Sequence, residues 1–146
     1  MASPLPADTI HFKWSKHVLR FEPPGLLYVK VFGAITATEV HEFVAIAYDL
    51  GDRFGRYHFL ADIVEMTDWP KDSRTVAVRA TRPYPYREVV IVGASFSMRV
   101  VISAIITAGR LLLPAFFEFG SVYVATEREA RAYIAEQRGR GGGTSG

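Results

Sequence analysis

The chain has 146 residues, is 49% apolar and 13% aromatic, and carries a net charge of +2. That length and apolar content suit one domain around one core and exclude the disordered class. So small a net charge argues against a nucleic-acid partner, and the lack of any cysteine excludes disulfides, thiolate metal sites and a cysteine nucleophile.

Residues 1–8 read as a flexible leader without the basic and apolar regions of a signal peptide. Val18 to Phe21 reads as a first strand, and Glu22-Pro23-Pro24-Gly25 as the turn of a hairpin into Leu26 to Phe32. Thr36 or Thr38 reads as the N-cap of a helix, with Thr36 and Glu39 at capping-box spacing, and Val40, Phe43, Val44, Ala47 and Leu50 recur on one helical face up to Gly51, which reads as the stop. Tyr57 to Ile63 reads as a third strand, Val64 to Lys71 as a loop, and Asp72-Ser73 as the start of a short helix through about Thr81. Arg82-Pro83-Tyr84-Pro85-Tyr86 reads as a rigid linker, because proline denies a backbone donor.

Glu88 to Val92 holds a run of four β-branched residues that stops at Gly93-Ala94-Ser95, the pattern of a strand buried on both faces and turning into a helix. The helix from Ser95 to Leu113 is apolar around most of its circumference and is stopped by Pro114. Val100 to Phe119 approaches the length of a membrane span, but Gly109, Arg110 and Pro114 interrupt it, so a buried helix followed by a loop is the better account and no membrane span is expected. Gly120 to Val124 reads as the last strand. A second capping box at Thr126 and Glu129 opens a helix to about Gln137, and residues 138–146 read as a flexible Gly-rich tail. A hairpin followed by repeated strand–helix units predicts an α/β domain over residues 9–137: a single open, mostly parallel sheet of about five strands with an N-terminal β-hairpin and about four helices.

The Pro-Pro-Gly turn into Leu27-Tyr28-Val29-Lys30-Val31-Phe32-Gly33-Ala34-Ile35-Thr36, the acidic strand end at Asp62, the run Val89-Val90-Ile91-Val92-Gly93 and the helix opening at Thr126 to Ala130 together resemble the STAS domain, the sulfate-transporter and anti-sigma-factor-antagonist family, in its bacterial SpoIIAA-like branch. The resemblance covers about residues 17–137 and rests on element order and strand ends. It implies a non-enzymatic regulatory module, cytoplasmic, without a cofactor, that binds a protein partner of unknown identity. Phosphorylatable antagonists of that family carry Asp-Ser-Ser-Gly or Asp-Ser-Ala-Gly, with the modified serine opening the helix after the third strand. Asp72-Ser73-Arg74-Thr75 stands at about the matching place; Asp72 and Ser73 match, while Arg74 and Thr75 depart.

Ser73 is therefore the candidate phosphorylation site, against the simpler role of a helix cap. Asp72, Arg74, Arg79, Arg82 and Arg87, with Tyr84 and Tyr86 interleaved, form a stretch that could meet a partner or an anion, or be a solvated face and turn. Gly93-Ala94-Ser95 lacks the phosphate-loop and nucleophile-elbow patterns. His11, His17, His41 and His58 are scattered, and His41-Glu42 is followed by Ala45 where a zinc helix needs histidine, so no metal is expected. Asp62, Glu65 and Asp68 could gather at a strand end, although turn and capping roles suffice. The apolar helix offers Val100, Ala104 and Leu111, with Phe116 and Phe117 beyond it, as a surface for self-association into a homodimer or larger homo-oligomer, unless the Phe-rich loop folds over it. The alternative reading is a small-molecule or lipid-binding protein, in which the aromatic residues and the apolar helix wall a pocket.

Overall fold

The computed structural model describes residues 5–144. Eight strands, four α-helices and a 3-10 turn follow in the order β1 (Ile10–Trp14), β2 (His17–Glu22), β3 (Leu26–Lys30), β4 (Gly33–Ala34), α1 (Ala37–Phe54), β5 (Tyr57–Asp62), β6 (Met66–Asp68), α2 (Lys71–Val78), β7 (Tyr86–Val92), α3 (Phe96–Leu112), the turn Pro114–Phe116, β8 (Gly120–Val124) and α4 (Glu127–Thr144). The main sheet is mixed and six-stranded, in the order β1-β2-β3-β5-β7-β8; β1, β2 and β3 pair antiparallel, and β3, β5, β7 and β8 pair parallel. A second, two-stranded parallel sheet joins β4 to β6. The open α/β sheet expected from the sequence is present, with one more strand than expected in the main sheet.

The differences have local causes. β1 was not expected, yet Ile10, Phe12 and Trp14 alternate with His11 and Lys13 and turn their apolar side to the core. β4 and β6 are too short to carry a pattern of their own and exist because Gly33 and Ile35 donate backbone hydrogen bonds to Glu65 and Asp68. Gly51 does not stop α1; it lies within the helix, where an added Cβ would stand 2.6 Å from the Pro85 ring. It serves close packing, and the helix runs on to Phe54. α2 begins at Lys71 after Pro70, without a side-chain cap, and ends at Val78 rather than near Thr81. The expected linker supplies the first residue of β7, since Tyr86 pairs with Tyr57. α4 passes Gln137 and continues into the glycine-rich stretch; residues 1–4 of the expected leader and 145–146 of the expected tail lie outside the described residues.

Alternation along the strands gives the sheet two different faces. Leu27 and Val29 of β3, and Val31 just after it, join the larger core beneath α1, α2 and α3, whereas Leu26 and Tyr28 join Leu60, Val90 and Val92 against Ala130 and Ile134 of α4. Each of the three crossovers links neighbouring parallel strands and steps the same way across the sheet. Right-handed connections then put all three helices on one face and leave the other to α4.

Both capping signals appear. Thr36 Oγ1 accepts from Glu39 N at 3.1 Å, while Glu39 Oε1 accepts from Thr36 N at 2.9 Å. Thr126 Oγ1 accepts from Glu129 N at 3.1 Å.

Candidate functional site

A cavity of about 170 Å³ lies between the three-helix face of the sheet and the helices above it. Its floor includes Val29, Phe59, Ala61 and Ile91; its roof includes Phe43, Ala77, Ile102 and Ile106; Trp69 and Phe117 also line it. Every lining residue is apolar or aromatic. Its only titratable residues are Tyr84 and Tyr86, whose hydroxyls are pushed upward by burial, away from neutral pH. The residues explain the void. A run of rings, Tyr48, Tyr84, Tyr86, Phe59, Phe43 and Trp14, crosses this face with successive centroids 5.0–5.5 Å apart. Such rings hold the helices off the sheet, and opposite them Ala61 and Ala77, the two smallest lining residues, leave space unfilled.

Side chains facing a space of this size forfeit packing contacts. An engineered apolar cavity of about 150 Å³ stays dry and takes up benzene. This cavity therefore has the size and chemistry to hold one small apolar molecule.

Three buried side-chain atoms among the described residues lack a well-formed hydrogen bond: His17 Nε2, Trp69 Nε1 and Ser73 Oγ. His17 is nonetheless accounted for. Its Nδ1 accepts from Phe32 N at 3.0 Å, which leaves the proton on Nε2, 3.1 Å from Glu39 Oε1. Burial would raise the Glu39 carboxyl, but hydrogen bonds from Ser15, the Thr36 backbone and His17 outweigh it and hold the group down at about 2. With Trp14 Nε1 donating to Glu39 O at 2.8 Å, this cluster fastens the β1–β2 hairpin to α1. Trp69 and Ser73 have no such partner.

Ser73 is fully enclosed (0% exposed), so a kinase cannot reach its hydroxyl in this conformation. Asp72 is exposed, and its Oδ1 accepts from Ser73 N at 2.8 Å. Arg74 donates to Trp69 O at 2.8 Å, and Arg82 donates to Asp52 at 2.7 Å and to Tyr48 O at 3.1 Å, while Arg79 and Arg87 are exposed. Tyr84 and Tyr86 correct the expectation of an aromatic partner surface: both are buried, and Tyr84 donates to Ala77 O at 2.7 Å.

The expected self-association surface divides. Phe96, Val100, Leu111 and Leu112 are exposed, Phe96 at 83% and Leu111 at 79%, and Ala104 lies exposed on the same helix. Phe117 is instead core and Phe116 is half-buried. The loop folds back because Gly109 has no side chain; a Cβ there would stand 2.4 Å from the Phe117 ring.

Asp62 is buried and accepts from Val64 N at 3.1 Å, a turn role, while Glu65 and Asp68 are exposed. Ser95 caps α3 by accepting from Met98 N at 3.2 Å. Among the described residues no three His, Asp or Glu side chains are placed to hold a metal ion, and no helix is long and apolar enough to cross a membrane.

No known family model matches the chain, and no curated protein matches it.

Sequence reasoning missed Trp69, which it left in a loop, and did not identify the individual residues of the wall. The usable signal was the pair of alanines, Ala61 and Ala77, placed among bulky apolar residues on core-facing positions.

Proposed function

We propose that this protein is a non-enzymatic, STAS-like domain that binds a small apolar molecule in the cavity beneath α1, α2 and α3. The observation that carries the reading is the cavity itself: about 170 Å³, walled only by apolar and aromatic residues. An apolar guest restores the packing that the void forfeits, and walls without an acid, base or nucleophile active near neutral pH fit retention rather than chemistry. The STAS-like, SpoIIAA-like assignment is supported by the element order, a hairpin followed by strand–helix units stepping one way across the sheet. A regulatory role for such a module is coherent with a ligand held under helices that also form the surface. Ser73 fits a phosphorylated switch poorly, because it is enclosed.

The test is a thermal-shift and ligand-observed NMR titration with benzene, toluene and α-methylstyrene. Saturable binding with a raised Tm is expected, and Ala61→Leu abolishes both. Absence of binding by all three probes overturns the reading.

A second reading, self-association through α3, is favoured by the exposure of Phe96, Val100, Leu111 and Leu112 along one helix. Light scattering after size-exclusion chromatography decides it. A dimer converted to monomer by Val100→Glu with Leu111→Glu supports that reading, and a wild-type monomer at high concentration rejects it.

A further inference from the structure

We infer that the outer face of α3 is a docking surface for an anionic lipid bilayer, on which the domain rests with apolar side chains in the boundary between headgroups and acyl chains and with arginines among the lipid phosphates.

Helical spacing builds the face. Phe96, Val100, Ala104, Thr107 and Leu111 recur at i, i+4, i+8, i+11 and i+15, which sets them in one stripe along about 22 Å of helix. All five are exposed, while Ile102, Ile106 and Gly109 on the opposite side of α3 are buried. A helix lying on a globular core ordinarily turns polar side chains outward. Here the outward stripe is apolar but for Thr107, and Leu112 stands exposed on the same helix. The other large apolar side chains exposed among the described residues, Leu5, Phe54 and Val64, belong to three different segments.

Charge decides the occupant. From Val89 to Phe117 the chain has no acidic residue, and α3 carries Arg99 and Arg110. Both arginines lie on the flank of α3 nearest β8: Arg99 sits over the Tyr123 ring at 5.2 Å, and Arg110 donates to the Phe119 carbonyl. α2 packs beside α3 and adds Lys71, Arg74 and Arg79 against one acid, Asp72. A second copy of the chain is the poorer fit. Two stripes paired antiparallel about Ala104 set Arg99 of one copy against Arg110 of the other, and parallel pairing sets each arginine against itself. With no acid on α3, either arrangement opposes like charges. An anionic bilayer accepts both features, the stripe by burial and the cations by attraction. No helix among the described residues is long and apolar enough to cross a bilayer, so α3 lies in its surface.

The test is co-sedimentation of the full chain with vesicles of phosphatidylcholine alone and of equimolar phosphatidylcholine and phosphatidylserine. The wild type is expected to sediment with the mixed vesicles, less with the neutral ones, and less again as salt is raised. Phe96→Ser combined with Leu111→Ser is expected to weaken binding at least about tenfold, and Arg99→Gln about fivefold. All three side chains are exposed, so both variants are expected to keep the wild-type Tm. On the wild type itself, spin-labelled lipid is expected to broaden the amide resonances of α3 and to leave those of α4, on the other face of the sheet, sharp. Sedimentation with neither vesicle, equal sedimentation with both, undiminished binding by the double serine variant, or broadening that spares α3 overturns the inference. A dimer in light scattering that the double serine variant converts to monomer, without vesicle binding, overturns it in favour of a second copy of the chain. None of these outcomes bears on the cavity.

Discussion

The two faces of the sheet solve opposite problems. Beneath α4 the core is mostly aliphatic, Leu26, Leu60, Val90 and Val92 against Ala130 and Ile134 with Tyr28 among them, and the rim is pinned by charge. Arg131 holds both oxygens of the buried Glu22 carboxylate at 2.9 Å and reaches Glu127 at 2.8 Å, and Tyr28 reaches Glu127 at 3.3 Å. Burial would raise Glu22, but Arg131 and Arg20 outweigh it and lower its carboxyl. Beneath the other three helices, a run of rings stands among the aliphatic side chains and a void remains. One face fixes the register of the chain with directional bonds. The other keeps room and lets large rigid side chains hold it open.

That contrast can be broken from either side, and the largest effect is expected at the crowded start of α2. Ser73→Asp places a carboxylate on a position with no exposed surface and no side-chain hydrogen-bond partner, so a loss of more than about 4 kcal/mol is expected in urea unfolding; a folded, fully stable variant would show that α2 opens readily. Acid comes next. Glu39 is held at about 2 in the fold against 4.5 for an unperturbed carboxyl, so it contributes stability above pH 4.5 that is lost as pH falls from there towards 2. On the order of 2–3 kcal/mol is at stake, and a Tm-against-pH series should flatten over that range in Glu39→Gln. On the tied face, Arg131→Ala leaves Glu22 with Arg20 alone and is expected to cost about 2–3 kcal/mol without altering binding of apolar probes. Gly109→Ala drives a methyl into the Phe117 ring and is expected to cost about 1–2 kcal/mol net of the better helix propensity. Ala61→Leu is the smallest change and has the opposite sign. Filling the void should raise stability by about 1 kcal/mol while removing probe binding, and loss of stability there would mean that the space is shallower than its volume implies.

Much of the architecture was legible because it is written in short windows. The run Val89 to Val92, the Thr36–Glu39 and Thr126–Glu129 caps and the hairpin turn at Pro23-Pro24-Gly25 each carry their own local physics. What was not legible depends on distant partners. Gly51 resembles a helix stop until Pro85 is seen against it. Tyr84 and Tyr86 stand between prolines and arginines, in a stretch that reads as surface, and are drawn inward by the rings they stack on. Ser73 has the sequence context of a cap, yet Pro70 begins the helix and leaves the hydroxyl enclosed. The cavity is the least local of all, since no residue encodes a void; it arises from the spacing of three helices above the sheet, with Ala61 in the floor and Ala77 in the roof.

The brevity of α2 has a kinetic consequence. It spans eight residues, starts without a side-chain cap and contributes Ala77 to the roof. A helix so short has little intrinsic persistence and belongs among the first segments of a fold to open. Amide exchange is therefore expected to be faster in Lys71 to Val78 than in the longer α1 and α3.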